Sequence, residues 1–205
     1  MLKIYLARHG QDQDNANGLL NGHRNMPLTE VGVAQAQEAA LKIQQAGLGF
    51  DAIYSSPLDR AFNTAQIIAE SVGVDPVVKL DDLIEREYGV MAGAKIADIE
   101  KLCTPNILKT SIITYFLTAP GAETFPELLQ RAQRLLGFLK NNHPDGSILL
   151  VAHGDIGKMI YTAYYELDWM EVLKQFHFGN SELLLLSPES KPEETHVFTI
   201  EQFNH

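Results

Sequence analysis

Apolar and polar positions along the 205-residue chain fall into two alternating patterns. Residues 2–6 form a short apolar run that predicts a first strand, ending at Arg8-His9-Gly10. Beyond Thr29, the residues Val33, Ala36, Ala40 and Ile43 recur at steps of three and four, which predicts an amphipathic helix capped by Thr29. Gly47 and Gly49 mark its end, and residues 50–54 predict a second strand. Ser56 then offers a cap and Pro57 a first helical position, with Ala61, Thr64, Ala65, Ile68 and Ala69 on the buried side of the next helix. Residues 76–80 form a weaker strand.

Over residues 85–125 the alternation breaks. Gly89, Gly93, Pro105 and Pro120 interrupt a mixed apolar stretch around Ile112, Ile113, Tyr115 and Phe116, which predicts a helical insertion over one end of the sheet. Regularity returns with a helix over 123–141, a strand buried on both faces over 148–152, a helix over 154–167 and strands over 182–186 and 196–200. Strands alternating with helices predict an α/β fold, a three-layer α/β/α sandwich with a mostly parallel central sheet, in one domain spanning 1–205. Sheets of this kind bind ligands beyond the carboxyl ends of their strands. Arg8-His9-Gly10, Arg60 and His153-Gly154 all fall at that edge.

Composition narrows the partners. A formal net charge of −10 argues against nucleic acid and anionic membrane, both of which call for a basic face. Cys103 is the only cysteine, so no internal disulfide forms, and a reducing cytosol is the expected setting. No run approaches the roughly 18 apolar residues of a membrane span, and the first residues lack a signal-peptide pattern. The expected location is therefore the cytoplasm. No histidine lies three to five residues from another, so a zinc site is not expected.

Histidine at such an edge has a chemistry to offer. A neutral imidazole, with a free pKa near roughly 6.5, is nucleophilic at cellular pH. A phosphoryl group in transfer spreads charge over three equatorial oxygens, so catalysis is mostly positioning and electrostatic clamping. Arginine suits the clamp because its planar fork pairs bidentately with phosphate oxygens. A leaving alkoxide needs a proton, which a carboxylic acid of raised pKa supplies. Alone, His9 reads as a structural or exposed histidine and Arg60 as a surface charge. His177 reads as part of packing or a turn, and His143, His196 and His205 as surface residues. Ile112, Tyr115 and Phe116 have the spacing of core.

Six segments, in order, make the chain resemble the histidine phosphatase superfamily, also called the phosphoglycerate mutase-like family. They are Leu6-Ala7-Arg8-His9-Gly10 with Asn15, Met26-Pro27-Leu28-Thr29-Glu30-Val31-Gly32, Tyr54-Ser55-Ser56-Pro57-Leu58-Asp59-Arg60-Ala61 with Thr64-Ala65, Leu83-Ile84-Glu85-Arg86-Glu87-Tyr88-Gly89, Gly121-Ala122-Glu123-Thr124 and Val151-Ala152-His153-Gly154. The resemblance implies that His9 becomes phosphohistidine, that Arg8, Arg60 and His153 hold the phosphate, and that Asn15 adds a hydrogen bond. It implies Glu85 as the acid that protonates the leaving oxygen and then activates water. Glu87 lies two residues on, and only the family pattern chooses between them. Gly154 contributes its amide, and Asp12, His23 and Tyr88 complete the expected phosphate-binding set, with His23 at the mouth. No metal or organic cofactor is implied. The implied partner is a small phosphorylated substrate, and oligomeric state stays open.

The implied activity is a phosphatase acting on small phosphate monoesters. The alternatives are phosphoglycerate mutase-type transfer or a catalytically weak phosphate-ester-binding regulatory module. Glu85-Arg86-Glu87-Tyr88-Gly89 is similar to the stretch found in mutases. Against a mutase, the segment between Gly89 and Glu123 holds Lys95, Lys101 and Lys109 but no arginine, where mutases carry a pair. The chain also departs from the family at Asp12, where threonine is common. A carboxylate about 4 Å from a bound phosphate repels it by on the order of 4 kcal/mol at an effective dielectric near 20. That penalty softens if Asp12 points away, pairs with an arginine such as Arg24, or is protonated. Asp155 raises the same question, and its simplest role is to cap the following helix or pair with Lys158.

Overall fold

The structure is a computed structural model that describes residues 1–202, so His205 lies outside the described residues. β1 (Lys3–Arg8) is followed by one turn of helix, α1 (Gln13–Ala16), and by α2 (Glu30–Gln45). Next come β2 (Ala52–Ser55), α3 (Asp59–Val72) and the short β3 (Val78–Lys79). An excursion then holds α4 (Ile99–Cys103) and an antiparallel hairpin of β4 (Ile107–Lys109) and β5 (Thr114–Phe116). The chain returns through α5 (Phe125–Asn142), β6 (Ser147–Ala152), α6 (Gly154–Tyr165), α7 (Trp169–Gln175), β7 (Leu183–Leu186) and β8 (His196–Phe198).

The main sheet has the order β3-β2-β6-β1-β7-β8. Its first four strands are parallel, and β7 and β8 extend it antiparallel. Successive side chains point to opposite faces. Ile4, Leu6, Ile148, Leu150 and Ala152 share a core with residues of α5 and α6, while Tyr5, Ala7, Leu149 and Val151 share one with residues of α2 and α3. Both faces of β6 are thus covered, which explains its unbroken apolar run. Truncating Leu150 to alanine there costs about 2–5 kcal/mol.

Local signals set the helix starts. Thr29 accepts from the Gly32 amide at 3.0 Å and caps α2. Thr124 and Glu127 form a reciprocal capping box at α5.

Several expectations change. Val33 is 37% exposed, because Gly32 makes the contact at the start of α2 and turns the buried stripe onto Gln35, Ala36, Ala39, Ala40 and Ile43. α3 begins at Asp59 with Leu58 as its cap position, and its first amide is met not by Ser56 but by Asn25 Oδ1, which accepts from the Asp59 N–H at 2.8 Å. The stretch 85–125 is not chiefly helical. Only Ile99–Cys103 is α-helix there, beside single 3-10 turns at Gly89–Met91 and Ile96–Asp98 and the hairpin. Pro105 prevents α4 from continuing, and the β-branched and aromatic residues Ile107, Ile113, Thr114, Tyr115 and Phe116 favour extended backbone. Tyr88, Met91, Ile99, Cys103 and Phe116 give this excursion its own small core.

Candidate active site

Strand register assembles the first half of the site. Arg8 pairs with Ala152 across β1 and β6, and Ser55 with Val151 across β2 and β6. The next residues along each strand, His9, Ser56 and His153, therefore leave the sheet at one edge. Two glycines permit the exit from β1. A Cβ on Gly10 would lie 2.2 Å from the Gly32 carbonyl oxygen, and one on Gly32 would lie 2.0 Å from that of Gln11. Only residues without a Cβ let these two backbones cross. The Gly10 amide donates to Thr64 Oγ1 at 3.1 Å, which ties the crossing to α3.

His9 is 1% exposed. Its Nδ1 lies 2.6 Å from the Gly10 carbonyl oxygen, which only accepts, so Nδ1 carries the hydrogen and Nε2 presents its lone pair. Arg60 Nε approaches that Nε2 at 3.3 Å. Burial first, then Arg60 and Arg8, hold the imidazole well below its ordinary pKa, so it is neutral at cellular pH. His153 is fully buried, with its ring centroid 4.9 Å from that of His9 and its Nε2 2.7 Å from Ser56 Oγ. Burial, followed by Arg60 and His9, holds it well below the ordinary value too.

Arg8 donates from Nη1 to the Phe178 carbonyl at 2.9 Å. Arg8 Nε and His153 Nδ1 are both buried, and neither has a hydrogen-bond partner among the described residues. Buried polar atoms are almost always paired, because leaving one unmade costs about 1–3 kcal/mol. The N-terminus of α6 adds the Gly154 backbone, close enough to Arg8 that a Cβ there would stand 3.6 Å from the guanidinium carbon.

Arg60 is fully buried and donates to the carbonyls of Arg24 at 2.6 Å and Gly22 at 2.8 Å. Asp12 is its ion partner. One Asp12 oxygen caps α1 by accepting from the Asn15 amide at 2.9 Å. The other accepts from Asn21 Nδ2 at 2.7 Å and lies 3.4 Å from Arg60 Nε. The expected partner Arg24 instead pairs with Asp14 at 2.7 Å, because the cap geometry turns Asp12 inward. Burial outweighs the stabilising contacts of Arg60, Asn15 and Asn21, so the Asp12 carboxyl is raised above its ordinary pKa. The Asn15 side chain accepts from Asn180 Nδ2 at 3.4 Å, and Asn180 also donates to the His9 carbonyl at 2.8 Å.

Glu85 enters from the opposite side. Its carboxylate accepts from the amides of Arg86 at 2.9 Å, Ile156 at 3.0 Å and Asp155 at 3.2 Å, which seats it on the start of α6. Burial foremost, then the charge of Asp155, raises its pKa against these three hydrogen bonds. Glu87 turns away, accepting from the Gly89 amide and lying 2.7 Å from His23 Nδ1. His23 Nε2 reaches the Glu85 carbonyl at 2.7 Å. Asp155 pairs with Arg86 at 2.8 Å and accepts from Tyr88 Oη at 3.3 Å, so neither expected role holds. Arg86 wins because it is buried against three aromatic rings, Phe116, Phe125 and Tyr88, and Asp155 is the one carboxylate within ion-pair distance of it among the described residues.

A cavity of about 140 Å³ joins the two halves, with Arg8, His9, Asn15, Glu85, Tyr88 and Gly154 on its wall. A wider groove of about 890 Å³, with His177 and His196 on its walls, shares no residue with it. His143 is half-buried and bonded to Tyr54 Oη at 2.8 Å rather than free on the surface. Among the described residues, no three His, Cys, Asp or Glu side chains group closely enough to hold a metal ion. Sequence reasoning missed Ser56, read as a helix cap although it directly follows β2, and Asn180, whose link to His9 spans 171 residues and leaves no local signal.

The sequence model of the histidine phosphatase superfamily (branch 1) matches residues 4–200. A 2,3-bisphosphoglycerate-dependent phosphoglycerate mutase of Mesorhizobium japonicum is 30% identical over 83% of this chain and 85% of its own. The uncharacterized phosphatase PhoE of Bacillus subtilis is 32% identical over 75% of this chain and 72% of its own. Among solved structures, a phosphoserine phosphatase variant of Entamoeba histolytica in complex with phosphoserine is 26% identical, with a TM-score of 0.72 over 90% of each chain. A mycobacterial glucosyl-3-phosphoglycerate phosphatase complexed with VO3 is 25% identical, with a TM-score of 0.77 over 90% of this chain and 92% of that one.

Proposed function

Because the chain belongs to the histidine phosphatase superfamily, we propose that it is a phosphatase hydrolysing small phosphate monoesters through a phosphohistidine intermediate on His9. The observation that carries this reading is the neutral His9 Nε2 beside buried Arg8 Nε and His153 Nδ1, neither of which has a protein partner among the described residues; with Ser56 Oγ donating to His153 Nε2, the His153 hydrogen sits on Nδ1 and both atoms are donors. An anionic phosphoryl group supplies their acceptors.

In the first step, His9 Nε2 attacks phosphorus and the ester P–O bond breaks, while Glu85 gives its proton to the departing oxygen. Water then attacks phosphorus and passes a proton to the Glu85 carboxylate. The P–N bond breaks and releases inorganic phosphate. Raised Glu85 and lowered His9 fit these roles, since one must hold a proton where the other must not. Arg60 exchanges its contact with His9 Nε2 for phosphate oxygens when the ester binds.

Mutase-type transfer is the second reading, favoured by the mutases among the relatives. Weighing for hydrolysis, Lys95, Lys101 and Lys109 are exposed, and Lys109 is spent on Glu100 at 2.8 Å. The excursion instead lines the cavity with Ile96, Ile99, Ile113, Thr114, Tyr115 and Phe116. The test is turnover of a generic aryl phosphate, with the protein quenched mid-reaction. Acid-labile, base-stable phosphate is expected on His9, and His9→Ala is expected to lose roughly 10⁴-fold or more of the activity. Full activity in that variant overturns the mechanism. Transfer to phosphoglycerate in preference to water favours the mutase.

A further inference from the structure

Lys158 is 3% exposed and Tyr115 6%, yet both stand on the wall of the cavity that holds His9 and Glu85. Lys158 Nζ donates to Tyr115 Oη at 2.8 Å and lies 5.0 Å from the Tyr115 ring centroid. Among the described residues it has no carboxylate partner, since Asp155, the acid nearest in sequence, is taken by Arg86. An ammonium has three donors and a phenol one. Two lysine hydrogens and the tyrosine hydrogen therefore have no protein acceptor among the described residues. A buried cation left this way is costly unless something anionic meets it.

Position narrows what that is. Gly154 and Lys158 are four residues apart on α6, so they share a face about 6 Å apart along the axis. One end of that face meets the phosphate at His9, and the other lies a helical turn beyond. We propose that Lys158 and Tyr115 form a subsite for the carboxylate of a small phosphorylated organic acid. Arg86 and Asp155 line the same cavity but neutralise each other, so the single charge of Lys158 at that end matches the single charge of a carboxylate rather than a dianionic second phosphate. The proposal rests on the reading that the phosphate sits at His9.

The test compares 3-phosphoglycerate with glycerol 3-phosphate, which differ only in carboxylate against hydroxymethyl, and adds glycerol bisphosphate. The native protein is expected to favour the acid in kcat/KM by about tenfold to a hundredfold. Lys158→Gln is expected to bring that ratio near one, mainly through KM, and Lys158→Arg to keep it. An unchanged ratio in Lys158→Gln, an equal fall for both esters, or preference for the bisphosphate overturns the subsite. Should Lys158→Gln fail to fold, Tyr115→Phe removes one donor and is expected to lower the ratio less; no change again overturns it. Absence of turnover in the native protein defeats the phosphatase reading instead. The subsite is then judged by calorimetric binding of the same two esters, and equal affinities overturn it.

Discussion

The two halves of the cavity are built by different means. On the β1 and β6 side, His9, Ser56 and His153 stand where parallel strands end in register, so their spacing follows from the hydrogen-bond ladder. On the other side, Glu85, Arg86 and Tyr88 lie in chain without regular structure beyond single turns, held by individual side-chain contacts. Arg131 illustrates the second mode: it donates to the carbonyls of Asp82, Ile84 and Glu85 and is anchored by Glu123 at 2.6 Å. A ladder tolerates the loss of one side chain without shifting its neighbours. A knot of buried contacts does not.

That difference is open to experiment. Apart from removal of His9, the largest effect is expected from Glu85→Gln, which keeps shape but cannot release a proton; kcat for a substrate with a poor leaving group should fall about 10²–10⁴-fold. Near-normal kcat there would mean that the irregular half takes no part in proton transfer. Next in size, Asp155→Asn leaves Arg86 buried without its counterion, at a cost of about 3–5 kcal/mol, read as a lower midpoint in urea unfolding. The same variant tests the electrostatics. Asp155 helps raise Glu85, so its removal lets Glu85 ionise at lower pH, and the alkaline fall of kcat should move to lower pH. A shift in the other direction would separate the alkaline limb from Glu85. The smallest effect is expected from Asp12→Thr on the ladder side. Freeing Arg60 from its carboxylate should improve kcat/KM for multiply phosphorylated over singly phosphorylated substrates by about tenfold; the urea midpoint should also fall, though less than for Asp155→Asn, because Arg60 keeps its bonds to the Gly22 and Arg24 carbonyls. An unchanged ratio means that Asp12 does not shape selectivity.

The same division decides what could be read from the residues alone. Strands β1, β2 and β6 stand out as bounded apolar runs, and the residues at their ends follow from the rule that ligands gather beyond carboxyl ends. His9, Arg60 and His153 follow from that rule and the apolar pattern alone. Only the family pattern prefers Glu85 to Glu87, because the contacts that seat the Glu85 carboxylate, the amides of Asp155 and Ile156, are distant in sequence. Contacts between residues tens of positions apart leave no periodicity, and so the pairing of Arg86 with Asp155 and the hairpin over Ile107–Lys109 and Thr114–Phe116 stayed hidden. Asp12 stands out as anomalous in the sequence, but its partner does not, because helix-cap geometry, rather than proximity along the chain, selects Arg60 over Arg24.

The crossing of Gly10 and Gly32 carries a consequence for assembly. A fragment ending before residue 30 contains the whole Arg-His-Gly motif but lacks the backbone against which Gly10 is seated. The proposed nucleophile is therefore a product of docking: His9 acquires its orientation only when α2 closes over the exit of β1. Exchange of the N-terminal segment between relatives should succeed only when the exchanged piece runs past Gly32, so that both sides of that joint travel together.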